Sequence, residues 1–417
     1  MQAHVPRLFG KSQGARLRVR ACSGIAVRIA FAALMILSSP VVAVRLHGQK
    51  KARLPRPRQL DQGITWQRDP ATGDLRPTAE TRAASGTDDS AQPNSGLIRV
   101  VTQLVPVTCS VSTADGVAVP GLGREDFRIF DDGREQTISY FDASTLPASV
   151  ALVMDASPSV LRDSDEMKRA ADALIDALAP LDEAAVVDFA AHTYLQLPFS
   201  DVRERIRRAV ARVDVRQLLG DTGGSNIYEA VYLVAHELFA GRNGRKAIAL
   251  LTDGQDTGLR LTLDPASASP QPGTTENRLT FDDVARTLAA EDIQIFAVST
   301  ENRPKVMAPE WLAAHRDKTL VTPEARRLAI PPYTLYLAEL VRRTGGELYF
   351  LREAETMADT FRRIAQTIRA EYTLGYYPWF PSPASGHEGW HALRVEVRGQ
   401  GNTVVIHRAA YYVPQAK

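Results

Sequence analysis

The chain is poor in cysteine, with only Cys22 and Cys109 among its 417 residues. Cys22 lies in a basic N-terminal segment that is typical of a targeting sequence, which leaves Cys109 alone in the rest of the chain. A single remaining cysteine excludes an intramolecular disulfide framework and a cysteine-based metal site. Because Cys109 lies in an alternating apolar stretch, we predict a buried structural thiol rather than a reactive one.

The chain also lacks a strong net charge and several common catalytic motifs. Its 50 basic and 48 acidic side chains leave a formal charge of +2, although the first sixty residues are strongly basic. No global field therefore attracts the chain to nucleic acid, and we predict no nucleic-acid partner. The histidines show no HExxH spacing and no nucleophile elbow is present, which argues against the common hydrolase classes that carry those motifs.

An uncharged apolar run occurs near the N-terminus. Residues 1–28 carry six Lys or Arg side chains and no acid, and the run Ile29–Val44 follows them. A basic region, a short apolar region and small residues at its end are typical of a secretory signal. We predict that residues 1–44 are a signal peptide or, as the alternative, an N-terminal anchor that attaches the chain to a membrane. Either alternative predicts an exported protein that is periplasmic, secreted or membrane-anchored.

The remaining chain shows three compositional patterns. Residues 45–96 are rich in Arg, Pro, Gln, Ser and Asp without apolar periodicity, which predicts a flexible linker. Residues 97–146 and 371–417 alternate apolar and polar side chains, which predicts short antiparallel strands. Neither β segment has enough strands for a core of its own, so we expect the two to pair into one small β-sandwich.

Between these segments, residues 147–370 alternate buried strands with amphipathic helices. Continuous apolar strands separated by such helices predict a mostly parallel sheet that is covered on both faces. The predicted fold class is therefore α/β, with this domain inserted in the β-sandwich. The predicted strands are Val150–Met154, Ala185–Phe189, Ala247–Thr252, Ile293–Ser299 and Glu347–Leu351.

Polar side chains follow the first of these strands. Asp155, Ser157 and Ser159 occupy alternate positions directly after Met154. Open α/β sheets bind ligands beyond the carboxyl ends of their strands, so we expect these side chains at that edge. One carboxylate and two hydroxyls are hard oxygen ligands, which suit Mg²⁺, Mn²⁺ or Ca²⁺ rather than Zn²⁺. Taken alone, the motif is equally typical of a turn or a helix cap.

Two further motifs add oxygen ligands from other loops. Ser225 follows two glycines and precedes a predicted helix, and Asp253 follows another buried strand. The three motifs in this order resemble the metal-ion-dependent adhesion site (MIDAS) of von Willebrand factor A domains. The resemblance covers about residues 150–370 and implies a Rossmann-like fold. It also implies a metal site made of Asp155, Ser157, Ser159, Ser225 and Asp253.

One motif position departs from the family pattern, and two residues that follow Asp253 are further candidate ligands. The third motif usually has threonine where this chain has Ser225, which supplies the same oxygen without the methyl group that stiffens the rotamer. We expect metal binding to survive this difference. Asp256 and Thr257 follow Asp253 closely, and we interpret them as loop or cap residues rather than as ligands at the rim of the site.

The resemblance implies a binding module rather than an enzyme. Two carboxylates roughly neutralise a divalent cation, and an open coordination position then attracts a carboxylate from outside. In the family, a Glu or Asp of the protein partner commonly completes the metal shell. We therefore predict an exported, non-enzymatic protein-binding or adhesion module that grips an acidic residue of its partner through Mg²⁺, or through Mn²⁺ or Ca²⁺.

Two enzymatic alternatives use the same region. A metal-dependent hydrolase, for example a phosphoesterase, would need a general base or a second metal, and no His or Lys lies in the three motifs. A nucleotide-binding Rossmann enzyme would need a glycine-rich turn after the first strand, where Asp155 would instead repel phosphate. The hydrolase is the stronger of these two alternatives.

The flanking β segments resemble those of a bacterial family of von Willebrand factor A-related proteins. In that family, segments similar to Val119–Leu122 and Glu125–Phe127 precede the A domain, and a segment similar to Tyr372–Pro378 follows it. This second resemblance extends over nearly all of residues 97–413. It implies the architecture of the chain more than its role.

Overall fold

The computed structural model describes residues 54–69, 73–79, 104–113, 117–143, 146–214, 224–259, 261, 277–316, 318–351, 357–369, 371–378, 389–399 and 403–413. The predicted signal peptide or anchor, residues 1–44, lies outside these ranges. None of the helices in the described ranges combines the length and the apolar character that a membrane span requires.

Strands and helices alternate through the middle of the described chain and give way to strands at both ends. The strands are β1 (Arg58–Gln59), β2 (Ile64–Arg68), β3 (Leu75–Ala79), β4 (Val105–Thr113), β5 (Phe127–Asp131), β6 (Arg134–Gln136), β7 (Tyr140–Asp142), β8 (Ala148–Asp155), β9 (Glu183–Phe189), β10 (Thr193–Ser200), β11 (Arg245–Thr252), β12 (Ile293–Ser299), β13 (Leu348–Phe350), β14 (Glu371–Tyr376), β15 (Gly389–Val397), β16 (Thr403–His407) and β17 (Ala410–Val413). The α-helices are α1 (Ser164–Ala177), α2 (Arg203–Ala211), α3 (Ile227–Leu233), α4 (Phe281–Ala290), α5 (Pro309–Ala314), α6 (Pro332–Thr344) and α7 (Met357–Arg369).

The central sheet has the strand order β1-β10-β9-β8-β11-β12-β13. The five strands from β9 to β13 in this order are parallel, whereas β10 and β1 add an antiparallel edge. The sequence predicted each of the parallel strands, but it did not predict β10. The predicted fold class, a mostly parallel sheet with helices on both faces, is confirmed.

Alternate residues of the central strands contribute to two hydrophobic cores. On β8, Ala151 and Val153 belong to one core, and Val150 and Leu152 belong to the other. Helices α3, α4 and α6 cover the first core, while α1, α2 and α7 cover the second. Because both faces are covered, residues Val150–Met154 of β8 form an unbroken apolar run. Each fully buried aliphatic side chain stabilises this arrangement by about 1.5–3 kcal/mol.

The two terminal β segments pair with each other, as predicted. One antiparallel sheet has the order β16-β4-β14-β7 and the other has the order β17-β15-β5-β6, so each sheet combines strands from before and after the α/β domain. Their facing side chains form a third core, in which Cys109 is fully buried, as predicted for a structural thiol. The α/β domain is therefore inserted in a β-sandwich.

The described part of residues 45–96 differs from the flexible linker that the sequence predicted. Strand β1 pairs with β10 at the edge of the central sheet, and β2 and β3 form a hairpin. We call β1–β3, together with the turn between β1 and β2, the N-terminal strap. Leu60 and Leu75 of the strap are buried in the first core, and Arg68 forms a buried ion pair with Asp283 at 2.8 Å. Composition did not predict the strap because its polar residues are held by partners as many as 215 positions later in the chain.

Candidate metal centre

The polar loops predicted from the sequence meet at one edge of the central sheet. The neighbours of β8 are β9, which follows it in the chain, and β11, which comes back on the opposite side. In the parallel register, Leu251 of β11 pairs with Met154 of β8. Thr252 and Asp155 therefore end their strands side by side, and Asp253 follows directly. A point where the strand order reverses opens a crevice at the carboxyl edge, which is where such sheets bind ligands.

The first loop presents one carboxylate and two hydroxyls. Asp155 is buried, and its Oδ1 accepts a hydrogen bond from the main-chain N–H of Ser157 at 2.9 Å. The Ser157 hydroxyl is buried as well, and it lies 3.0 Å from the hydroxyl of the exposed Ser159. The loop thus runs from a buried carboxylate to a hydroxyl that solvent can reach.

The second loop brings Ser225 against the same carboxylate. The Ser225 hydroxyl donates to Oδ2 of Asp155 at 3.4 Å, although the two residues are 70 positions apart in the chain. Thr257 fixes the loop from the other side, because its Oγ1 accepts from the Ser225 N–H and donates to the Ser225 carbonyl, both at 3.0 Å. Gly224 has a φ of +96°, and a Cβ there would lie 2.4 Å from Thr257 Oγ1. The turn before Ser225 therefore requires glycine.

The third loop adds a second buried carboxylate. Oδ1 of Asp253 accepts from the main-chain N–H of Gln255 at 2.8 Å. Its Oδ2 is buried and has no hydrogen-bond partner within the described residues. One residue earlier, the fully buried Thr252 donates its hydroxyl to Oδ2 of Asp155 at 2.7 Å. The hydrogen bonds of the site thus satisfy Asp155 but leave one oxygen of Asp253 unmatched.

The two carboxylates disfavour each other's charge. Burial, and after it the negative charge of Asp253, raise the pKa of Asp155 to about 7, against hydrogen bonds from Ser157 and Thr252 that lower it. A buried carboxylate pair of this kind is costly unless a cation lies beside it. A divalent cation would offset both charges and give the unmatched oxygen of Asp253 a partner. The donor set, made of carboxylates and hydroxyls, fits a hard cation.

The pattern of loops around β8 and β11 is also recognised in the sequence itself. Residues 150–255 match the family model of the von Willebrand factor type A domain. This region is a von Willebrand factor type A domain. The match covers all three metal motifs and confirms the resemblance predicted from them. The flanking β segments lie outside the matched residues, so their resemblance to the bacterial family stays a prediction.

Similar solved structures are only distantly related to this chain. An aerotolerance-related membrane protein from Bacteroides fragilis has 15% identity and a TM-score of 0.36, over 53% of this chain and 98% of its own. A von Willebrand factor type A structure from Catenulispora acidiphila has 13% identity and a TM-score of 0.35, over 75% of this chain and 74% of its own. No curated protein matches the chain significantly. Scores this low support no conclusion about function, and the family match alone identifies the domain.

The structure brings the predicted site residues of the von Willebrand factor type A domain to one place. Asp155 contacts Ser157 and Ser225 directly, Ser159 joins them through Ser157, and the charge of Asp253 acts on Asp155. Their assignment as metal ligands stays a prediction. Thr222 and Gly223, which precede Ser225 in its motif, lie outside the described residues.

Sequence reasoning missed one contributor to the site and interpreted two others correctly. Thr252 was not singled out, yet it makes the shortest hydrogen bond to Asp155. The sequence offers a threonine at the strand end before Asp253 as a signal, but such a threonine is too common to identify the role by itself. Asp256 was interpreted as a cap, and its carboxylate accepts from the Tyr228 N–H at the start of α3 and from the Leu259 N–H. Burial raises the pKa of Asp256 to about 6, against these main-chain hydrogen bonds. Thr257 is likewise a loop residue, which braces Ser225.

Proposed function

We propose that this chain is an exported binding protein whose von Willebrand factor type A domain binds a protein partner through a divalent cation. The proposed ligands are Asp155, Ser157, Ser159, Ser225 and Asp253, and the proposed cation is Mg²⁺, with Mn²⁺ or Ca²⁺ as substitutes. The observation that carries the proposal is the unmatched, buried Oδ2 of Asp253 beside a second buried carboxylate. A cation is the simplest partner for both groups.

The charge balance of the site supports binding to an acidic partner. Two carboxylates neutralise a divalent cation, and the three hydroxyls add no charge. A coordination position that faces solvent then attracts an external carboxylate more strongly than it attracts water. Ser159 is the exposed member of the set, so the solvent-facing side of the cation is expected on its side of the loop. An Asp or Glu side chain of the partner would complete the shell there.

A metal-dependent hydrolase is the alternative that the same donors allow. Hydrolysis needs a group that activates water, such as a histidine or a second metal beside the first. The described groups that contact Asp155 are hydroxyls of serine and threonine and a main-chain N–H, which are not general bases at neutral pH, and Asp155 itself would be engaged by the cation. This arrangement favours binding over turnover.

Calorimetry and a phosphoesterase assay on the same preparations test the two functions. Mg²⁺ is expected to bind the full-length chain with one equivalent and to fail to bind the Asp155→Ala variant. Asp201→Ala, an exposed acid outside the three loops, is the matched control and is expected to bind Mg²⁺ normally. Mg²⁺-dependent hydrolysis of a generic phosphodiester that Asp155→Ala abolishes would overturn the binding proposal.

The partner's carboxylate is tested with peptides rather than with the unknown partner. An array of random peptides is probed with the full-length chain in Mg²⁺ and again in EDTA. Peptides bound only in Mg²⁺ are expected to contain Asp or Glu, and replacing that residue by Asn or Gln is expected to abolish binding. Mg²⁺-dependent binding that survives every acid-to-amide replacement would contradict ligation by an acidic residue.

Export is tested separately, because residues 1–44 carry that prediction alone. The chain expressed in a Gram-negative host is expected outside the cytoplasm, and deletion of residues 1–44 is expected to leave it inside. N-terminal sequencing of the exported protein distinguishes a cleaved signal from a retained anchor. Recovery of the intact chain in the cytoplasm would contradict export.

A further inference from the structure

Three potential metal ligands meet in the β-sandwich rather than in the von Willebrand factor type A domain. Asp131 ends β5, Asp132 begins the turn to β6, and His391 lies on β15, which pairs with β5. One carboxylate oxygen of each aspartate and one ring nitrogen of His391 all lie within 4.8 Å of one another. Within the described residues, no other group of three or more His, Cys, Asp and Glu side chains converges in this way.

The backbone fixes two of these ligands against each other. Asp132 has a φ of +46° and Gly133 a φ of +80°, so the two residues form a tight turn of left-handed conformation. The Asp132 N–H donates to the Ala392 carbonyl at 2.9 Å, and Oδ1 of Asp132 accepts from the Ala392 N–H at 2.8 Å. These hydrogen bonds hold the turn against β15 and place Oδ2 of Asp132 at 2.8 Å from Nδ1 of His391.

The third ligand is a buried carboxylate with an unmatched oxygen. Asp131 is only 7% exposed, and its Oδ2 accepts a hydrogen bond from the Tyr411 hydroxyl at 2.9 Å. Its Oδ1 is buried and makes no hydrogen bond within the described residues. The fully buried Tyr376 hydroxyl lies beside Asp131 and Tyr411 and interacts with both. An unmatched carboxylate oxygen next to a second carboxylate is costly without a positive group beside it, and tyrosine hydroxyls offset only part of that cost.

We propose that Asp131, Asp132 and His391 form a second divalent-cation site. Two carboxylates neutralise a divalent cation, and an imidazole ligand favours Zn²⁺ over Mg²⁺ or Ca²⁺. The site therefore differs in chemistry from the all-oxygen site at Asp155, and the two are expected to select different metals. A cation here would supply the partner that Oδ1 of Asp131 lacks.

The proposed cation would join the two halves of the β-sandwich. Strand β5 precedes the von Willebrand factor type A domain and β15 follows it, so Asp131 and His391 lie 260 positions apart, at opposite ends of the inserted domain. A metal ion held by both strands stabilises the folded state by mass action, because the unfolded chain does not bring these ligands together. Its role would be structural, with at most one position open to solvent.

Zinc calorimetry on the full-length chain without a polyhistidine tag tests the proposal. The Asp155→Ala background removes the first site, so that Zn²⁺ binding reports on the second. One equivalent of Zn²⁺ is expected to bind, and His391→Gln in the same background is expected to weaken binding by more than about tenfold. The matched control is His236→Gln, which removes an exposed histidine and is expected to change nothing.

A second variant separates loss of metal from loss of fold. Asp132→Asn keeps the left-handed turn, which asparagine tolerates, and keeps a carbonyl oxygen for the Ala392 N–H. It is expected to retain the circular dichroism spectrum of the parent and to lose Zn²⁺ binding. Absence of Zn²⁺ binding to the Asp155→Ala chain, or binding that both variants leave unchanged, would show that the cluster is only a hydrogen-bonded network. The proposed Mg²⁺ site at Asp155 does not depend on that result.

Discussion

Replacing Asp155 by asparagine removes one of two buried negative charges and changes the size of the side chain very little. The charged form of Asp155 is disfavoured by burial first and by Asp253 second, and its pKa rises from 3.8 to about 7. That rise corresponds to about 4 kcal/mol against the charged carboxylate. Asparagine still offers one oxygen to the Ser157 N–H, but it loses the acceptor for the Thr252 hydroxyl, which costs about 2 kcal/mol. The net gain in the free energy of unfolding above pH 7 is therefore expected to be about 2 kcal/mol.

The sign of this effect depends on pH and on metal. Because the folded-state pKa of Asp155 exceeds the unfolded value, the metal-free folded protein binds more protons than the unfolded chain between about pH 4 and 7. The contribution of Asp155 to stability is therefore fully present below pH 4 and lost as the pH rises through 7. Mg²⁺ binds the charged form, so it stabilises the wild type at pH 8 and leaves Asp155→Asn unchanged.

Urea unfolding at pH 5 and pH 8, each in EDTA and in Mg²⁺, measures these differences. In EDTA, Asp155→Asn is expected to be more stable than the wild type at pH 8, and the gap is expected to shrink at pH 5. Asp201→Asn, which changes an exposed acid, is expected to follow the wild type under all four conditions. A variant that is less stable than the wild type in EDTA at pH 8, or that Mg²⁺ still stabilises, would refute the electrostatic reasoning.

Substitutions at three further positions probe parts of the same structure. Ser225→Thr is expected to bind Mg²⁺ at least as tightly as the wild type, because the β-branched threonine side chain has a stiffer rotamer. Ser225→Ala is expected to weaken Mg²⁺ binding by about tenfold or more. Calorimetry measures both affinities. Gly224→Ala is expected to destabilise the chain by more than the roughly 1–2 kcal/mol that a left-handed backbone costs alone, and to weaken Mg²⁺ binding. Gly121→Ala has a similar φ in open space and supplies that backbone cost as the control. Arg68→Ala is expected to lower the free energy of unfolding by about 2 kcal/mol, because Asp283 loses one of its two arginine partners and keeps only Arg286 at 2.7 Å, while the exposed Arg76→Ala is expected to change it by less than about 0.5 kcal/mol.

Each of these substitutions has an outcome that contradicts its premise. Undiminished Mg²⁺ binding by Ser225→Ala would exclude that hydroxyl as a ligand. Equal losses of stability in Gly224→Ala and Gly121→Ala would show that crowding against Thr257 does not matter. An Arg68→Ala chain as stable as Arg76→Ala would mean that the N-terminal strap is not held by its buried ion pair.

The α/β domain was predictable because its signals are local and repetitive. Unbroken apolar strands such as β8 and β11 alternate with amphipathic helices, and the polar residues that interrupt them stand where the strands end. Asp155 and Asp253 could be placed at a common edge from this rule alone. Pairing of the two β segments was likewise predictable, because neither segment had enough strands for a separate core.

The N-terminal strap was not predictable in the same way. Half of its hairpin residues are polar, and only Leu60 and Leu75 of the strap are buried in the first core, with Ile64 and Trp66 packed against it. It is held by single contacts with distant residues, such as the hydrogen bond from the Tyr232 hydroxyl to the Leu75 carbonyl. Such long-range contacts cannot be recognised in the sequence, and the alternation in β2 covers only five residues, so composition favours a linker.

The support around the metal ligands also depends on contacts between loops. Thr252 and Thr257 hold Asp155 and Ser225 in place, but each reaches its partner across a distance of 32 positions or more in the chain. Threonine near a strand end is common, so its position alone does not identify this role. The ligands follow from motif spacing, whereas the residues that position them follow only from the folded geometry.

Three loops at the carboxyl edge of the sheet are proposed to hold one divalent cation. Anomalous diffraction from crystals grown with Mn²⁺ locates such a cation directly. An anomalous peak is expected among Asp155, Ser157, Ser225 and Asp253, at about 2.2 Å from the nearest oxygens. A well-ordered site with no peak there, while Mn²⁺ occupies other positions in the same crystal, would contradict it.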